Sequence, residues 1–216
     1  MRRFLYALAL AVILGSTWLA LTLGEVTPDQ SGLTVEKNIV YFHVPSAVCT
    51  ALCFGVLLVA GISYLATGAA KWDYLGAASA EVALVFATVL NVTGSIFARP
   101  YWNTWWTPSP RLVSSAMLWF LCAAYLILRG NIEDARHRAR ICAVFGIIAF
   151  LDVPMVFLAA RMTRDIHISN VRFETPWQVV SLGLSILGIV LLGGLLIDLK
   201  VGILKCRTRL ESELGH

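Results

Sequence analysis

Polar residues cluster along this chain, and between the clusters run six nearly uninterrupted apolar blocks: residues 4–23, 44–65, 75–97, 112–128, 141–160 and 179–199. Each block is 17 to 23 residues long. At a rise of about 1.5 Å per residue, helices of that length cover roughly the 30 Å of bilayer hydrocarbon, and a helix satisfies its own backbone hydrogen bonds there. The pattern predicts an all-α membrane protein, a bundle of six transmembrane helices forming a single integral membrane domain over residues 1–216. Composition agrees: 58% of the 216 residues are hydrophobic and 14% charged, against roughly a quarter charged in a soluble domain.

The first block follows Arg2 and Arg3 in the manner of a secretory signal. It is too long, however, and Ser16-Thr17-Trp18-Leu19-Ala20 is a poor cleavage site with more apolar residues beyond it, so an uncleaved helix is expected. Six crossings return the chain to its starting side. Eleven Lys and Arg fall on that side: Arg2, Arg3, Lys71, Arg129, Arg136, Arg138, Arg140, Lys200, Lys205, Arg207 and Arg209. Six fall on the other: Lys37, Arg99, Arg111, Arg161, Arg164 and Arg172. The positive-inside rule then places both termini in the cytoplasm. The basic C-terminal tail is expected to meet anionic lipid or to fix orientation.

This orientation turns three connections outward: 24–43, 98–111 and 161–178. The first ends in His43, just ahead of Pro45, a residue well tolerated in a first helical turn. The third carries His167, seven residues past the end of the fifth block. The middle one holds Tyr101, Trp102, Trp105 and Trp106, followed by Pro108, Pro110 and Arg111. Two imidazoles are possible axial ligands, three tryptophans and a tyrosine can form an apolar wall, and Arg99, Arg111, Arg161 and Arg164 are candidate partners for carboxylates. A planar macrocycle with two propionates and an iron that accepts imidazole, haem, matches that set. Aromatic residues also anchor any membrane protein at the interface, and the residues by themselves leave both readings open.

Glu81 and Asp152 are the clear ionisable residues within the blocks. Such groups are functional or paired, because hydrocarbon solvates charge poorly. Glu81 suits a partner subunit, a polar cavity or a bond to a neighbouring helix. Asp152 lies two residues before Pro154, where a kink is expected, and is read as support for the outward site. The five cysteines, Cys49, Cys53, Cys122, Cys142 and Cys206, fall in no outward loop, so no outward disulfide is expected. There is no C-x-x-C-H attachment motif, so any haem is expected to be held without a thioether link.

Three segments resemble the cytochrome c maturation protein C family, also called haem exporter protein C. Tyr41-Phe42-His43-Val44-Pro45-Ser46-Ala47 is similar to its first histidine motif. Asp152-Val153-Pro154 followed by Arg161, Arg164 and His167 is similar in spacing to the region leading to its second. Thr93-Gly94-Ser95-Ile96-Phe97 through Trp102-Asn103-Thr104-Trp105-Trp106 to Arg111-Leu112 resembles its tryptophan-rich stretch. The resemblance implies a periplasmic site for transient, non-covalent haem b in the cell inner membrane, with His43 and His167 as axial ligands and the tryptophan loop as platform. It further implies presentation of haem to a periplasmic haem chaperone, cytochrome c maturation protein E, with an ABC transporter and a small single-span protein as partners. The role is assembly and haem delivery rather than catalysis. The chain departs from the family at Pro108 and Ser109, where the family has tryptophan and its motif aspartate. It departs again at Met162 and Thr163, where aromatic residues are usual.

Two readings compete with haem delivery: a membrane subunit of a small-molecule transporter with Glu81 and Asp152 as polar stations, and a divergent haem-handling paralogue that no longer transfers haem. An electron-transfer cytochrome would place histidine pairs inside the spans, and none occurs. No feature calls for a nucleic-acid partner.

Overall fold

The computed structural model describes residues 2–22, 37–162, 173 and 175–214. Among them lie seven α-helices and no strand: α1 Arg2–Thr22, α2 Val40–Thr67, α3 Ala70–Trp102, α4 Pro110–Gly130, α5 Ala135–Ala149, α6 Asp152–Met162 and α7 Pro176–Glu213, with a 3-10 turn at Lys37–Ile39 before α2. Six helical units are long and apolar enough to cross a membrane, with α5 and the start of α6 together making one. The protein is a multi-pass membrane protein.

α2 is the hub and packs on α3, α5 and α7, while α4 leans on α3, α5 and α6. α1 sits outermost against α7 and leaves Phe4, Leu10, Leu14 and Trp18 exposed, as expected of a helix solvated by lipid. Tyr6 donates from its hydroxyl to the carbonyl of Leu195 at 3.0 Å, and further along α1, Val12 and Ile13 crowd Gly188. Rising numbers on α1 meet falling numbers on α7, so the two helices are antiparallel. The N-terminal end of α1 and the C-terminal end of α7 share one end of the bundle. That end also carries Lys71, Arg129, Arg136 and Arg138. The opposite end holds the cluster of Ala20, Val40, Tyr41 and Leu182.

The α2–α3 turn is closed by Gly68, whose φ of 65° is left-handed and whose N–H donates to Tyr64 O at 2.7 Å, a conformation glycine adopts without steric cost. Beyond it, Ala77, Ala78, Ala80, Ala83 and Ala87 are buried along α3. Small residues let helix backbones approach where lipid supplies no hydrophobic drive for association. Ser79 uses that closeness to donate to Cys53 O at 2.7 Å. Asn91 donates to Ser115 O at 3.3 Å, and Trp119 Nε1 donates to Thr88 Oγ1 at 2.8 Å, which fixes α3 against α4.

Three helix starts follow their sequence signals. Ser109 precedes Pro110 and accepts from Leu112 N. Asp134 accepts from His137 N at 2.6 Å. Thr175 and Gln178 form a capping box ahead of α7. Several expected boundaries shift. α7 runs to Glu213 rather than 199, and the expected connection 98–111 shrinks to 103–109 because α3 continues through Pro100 to Trp102. α2 begins at Val40, so His43 lies inside its first turn and not in the loop before it. The fifth span breaks at Phe150-Leu151. Pro154 lacks the N–H that would bond Phe150 O in a continuing α-helix, and the chain tightens there instead, with Leu151 N donating to Ile148 O and Val153 N to Phe150 O, each at 3.0 Å.

Glu81 is paired. Lys200 Nζ lies 2.6 Å from its Oε2, so the acid ties α3 to α7. At the basic end Arg129 makes a two-pronged bond to Asp73, Nη1 to Oδ1 at 2.6 Å and Nη2 to Oδ2 at 2.7 Å, which joins α4 to the first turn of α3. All five cysteines are free, four of them buried and Cys206 exposed.

Candidate functional site

The end of the bundle opposite the basic cluster brings the first turn of α2 against the last three turns of α3. Tyr41 is fully buried there and Phe42 is exposed, so the chain enters α2 with one aromatic inward and one outward. His43, half-buried between them, turns its imidazole onto α3. Nδ1 lies 3.1 Å from Thr93 Oγ1. At the next position a Cβ on Gly94 would stand 3.1 Å from His43 Cε1, so the imidazole packs closely over the glycine.

Above this contact α3 carries the aromatic surface. Phe97 is one turn beyond Thr93 on the same face, and its ring meets Trp102 edge-on, with centroids 5.9 Å apart. Trp102 lies nine residues after Thr93, roughly 13 Å along the axis at the standard rise. Asn103 ends the helix in the left-handed region, with φ of 52°. Arg99 clasps that reversal: Nη1 donates to Asn103 O at 2.7 Å and to Asn103 Oδ1 at 2.6 Å, and its guanidinium carbon lies 5.9 Å from the Trp105 ring centroid. Thr104 Oγ1 donates to Trp106 O at 3.0 Å. The turn thereby presents Trp105 and Trp106, 59% and 45% exposed, as an outward apolar surface. Arg111 follows in the first turn of α4, half-buried.

The structure thus gathers His43, Arg99, Trp102, Trp105, Trp106 and Arg111 at one end of the bundle. His167 and Arg164 lie outside the described residues. Arg161 falls in the last turn of α6, with its side chain outside what is described. Among the described residues no group of three or more His, Cys, Asp or Glu converges on a metal position. Asp152 opens α6 at the break in the fifth span, where helix N-terminal N–H groups favour a carboxylate. Its Oδ2 is buried and has no hydrogen-bond partner.

Sequence reasoning passed over Thr93, Gly94 and Asn103 as parts of the site. Thr93 and Gly94 stood in the tryptophan-rich resemblance without a role, and Asn103 between tryptophans carried the one available signal, since asparagine tolerates a left-handed helix end.

Residues 1–213 match the family described as "Heme exporter protein C". The chain is similar to the heme exporter protein C of Escherichia coli (strain K12), 28% identical over 162 residues that cover 74% of this chain and 66% of that protein. The relative in Bradyrhizobium diazoefficiens is 27% identical over 144 residues, 66% of this chain and 54% of that protein. The one in Rhodobacter capsulatus is 24% identical over 198 residues, 86% and 76%. Against the first two, this chain spans less than two thirds of the relative's length.

Proposed function

This chain belongs to the heme exporter protein C family, and on that premise we propose that it handles haem in cytochrome c maturation. It binds haem b without a covalent link at the His43 end of the bundle. His43 and His167 are the axial ligands, and Trp102, Trp105 and Trp106 form the platform on which the macrocycle rests. Arg111, Arg161 and Arg164 meet the propionates. Arg99 has Nε and Nη2 donors beyond the two bonds that Nη1 makes, and serves the same charges while holding the turn.

The observation that carries this reading is the juxtaposition of His43 with α3, the same helix that ends in the tryptophan turn. An imidazole seated against the stem of an exposed indole surface puts a nitrogen donor that would hold iron and an apolar surface that would receive a planar guest at the same end of the bundle. The donor set fits haem iron, which takes imidazole nitrogen. When bound, haem supplies the iron, and the chain supplies position, charge and exclusion of water.

The surplus of Lys and Arg at the opposite end supports cytoplasmic termini and a periplasmic His43 face in the cell inner membrane. From that face the protein presents haem to a periplasmic haem chaperone, cytochrome c maturation protein E, and works with ABC transporter subunits and a small single-span protein. A small-molecule conduit is less well supported, because Lys200 already meets the charge of Glu81. The direct test is the reduced-minus-oxidised spectrum of the purified protein. A low-spin bis-imidazole signal is expected, lost on His43→Ala and on His167→Ala. A haem spectrum indifferent to both substitutions defeats the reading.

A further inference from the structure

Thr93 has a single hydroxyl hydrogen, and the structure shows where it goes. Thr93 Oγ1 lies 2.7 Å from Val89 O and 3.2 Å from Leu90 O. Two oxygens 2.7 Å apart share a hydrogen, so the hydroxyl donates back to its own helix and its rotamer is held there. The same oxygen lies 3.1 Å from His43 Nδ1. With its hydrogen already committed, it can only accept from that nitrogen, and Nδ1 therefore carries the proton. In a neutral imidazole the in-plane lone pair then belongs to Nε2. Gly94, one residue on, closes the other side of the grip. A Cβ there would sit 3.1 Å from Cε1 and 3.7 Å from Nδ1 of the ring, so a larger residue would oblige the imidazole to shift by a few tenths of an ångström on its seat.

The geometry points to Thr93 and Gly94 as positioning residues for His43: together they set the ring's tautomer and its seat on α3, so that Nε2 is the nitrogen offered to iron. The inference rests on the proposed role of His43 as a haem ligand and adds to it a tuning function. A ligand imidazole that donates its other N–H is oriented and made more basic, and loss of such a partner typically weakens metal affinity 10- to 100-fold. A more basic imidazole also stabilises ferric over ferrous haem, so the bond holds the potential of the bound haem lower than it would otherwise lie.

The test compares the full chain in detergent with Thr93→Val, Thr93→Ser, Gly94→Ala and His43→Ala. Valine keeps the branched shape and loses the acceptor, whereas serine restores the acceptor. In haem-free protein labelled at histidine nitrogen, two-bond proton–nitrogen spectra are expected to report His43 in the Nδ1–H form in the native chain and in Thr93→Ser, and to lose it in Thr93→Val. With haem added, Thr93→Val is expected to bind about 10- to 100-fold more weakly, and Gly94→Ala, which shifts the ring but keeps its partner, to fall between Thr93→Val and the native chain. Thr93→Val also shifts the haem potential upward, and Thr93→Ser returns both values to the native ones. Native tautomer, affinity and potential in Thr93→Val, with haem lost from His43→Ala, would overturn the positioning role and leave the ligand reading standing. Haem retained unchanged by His43→Ala would overturn both.

Discussion

Arg99 holds Asn103 by two oxygens at once, the backbone carbonyl at 2.7 Å and the side-chain carbonyl at 2.6 Å, at the point where α3 reverses into the tryptophan turn. One guanidinium nitrogen thereby ties down a left-handed residue, a conformation that asparagine tolerates better than most non-glycine residues. Lysine is a shorter cation without the guanidinium plane that lies beside the Trp105 ring. Arg99→Lys is therefore expected to leave the bundle intact and loosen the turn, because both partners are exposed and each hydrogen bond contributes only about 1 kcal/mol. The measurement is the fluorescence anisotropy decay of the turn's tryptophans together with haem affinity. Faster indole motion and a several-fold weaker affinity are expected, with thermal stability unchanged. Unaltered indole motion would count against the clasp.

Trp18, Trp105 and Trp106 are comparably exposed, at 63%, 59% and 45%, yet they sit at different places. Trp18 projects from α1, the outermost helix, whereas the other two crown α3 above His43. Exposure alone predicts equal effects on substitution, and a haem platform predicts unequal ones. Trp105→Ala and Trp106→Ala are expected to lower haem retention through purification while Trp18→Ala retains the native level, as read from the ratio of Soret to protein absorbance. Equal retention in all three would remove the turn from the site.

The crossings were legible because an apolar block must exceed a bilayer's thickness to matter, and the blocks are sharply bounded by charge. Their ends were not. Hydropathy falls at Ala98-Arg99-Pro100, but the helix continues to Trp102, where the Phe97–Trp102 ring contact and the Arg99–Asn103 clasp define its last turn. Pro154 announced the break in the fifth span correctly, since a missing N–H is a local fact. The contacts that complete the site are not local. Thr93 meets His43 across 50 positions, and Lys200 meets Glu81 from another helix. Those pairings depend on how far each helix slides along its neighbour, and that register is set by small-residue packing over the whole interface.

Gly61 marks one such packing point. A Cβ there would stand 2.8 Å from the carbonyl oxygen of Ala143 and 3.1 Å from Ile147, and the first of these is backbone on α5 that has no rotamer to change. Gly61→Ala is therefore expected to force α2 and α5 apart, at a cost of about 1–3 kcal/mol typical of overpacking. Gly15→Ala meets nothing within 4 Å and should leave the melting temperature unchanged or slightly raised, since alanine favours a helix interior. Thermal unfolding of the two variants in the same detergent checks the contrast. Equal melting temperatures would mean that α2 and α5 are not held at this separation.

The Asp73–Arg129 pair is the other structural device whose strength can be read from its surroundings. Its side chains are only 9% and 15% exposed, between the start of α3 and the end of α4, far from the His43 end. Removing one partner of a buried pair leaves an uncompensated charge, typically at a cost of about 3–5 kcal/mol, whereas replacing both with apolar residues of similar volume is often neutral. Asp73→Ala is expected to lower the melting temperature strongly, and Asp73→Leu combined with Arg129→Met to recover most of the loss. The remaining folded fraction of Asp73→Ala should still bind haem with native affinity, because nothing in this pair touches His43, Thr93 or the tryptophan turn. A double variant no more stable than Asp73→Ala would show that the bidentate bond itself stabilises the bundle. A haem affinity that fell with the pair would mean that the two ends of the bundle are coupled through α3.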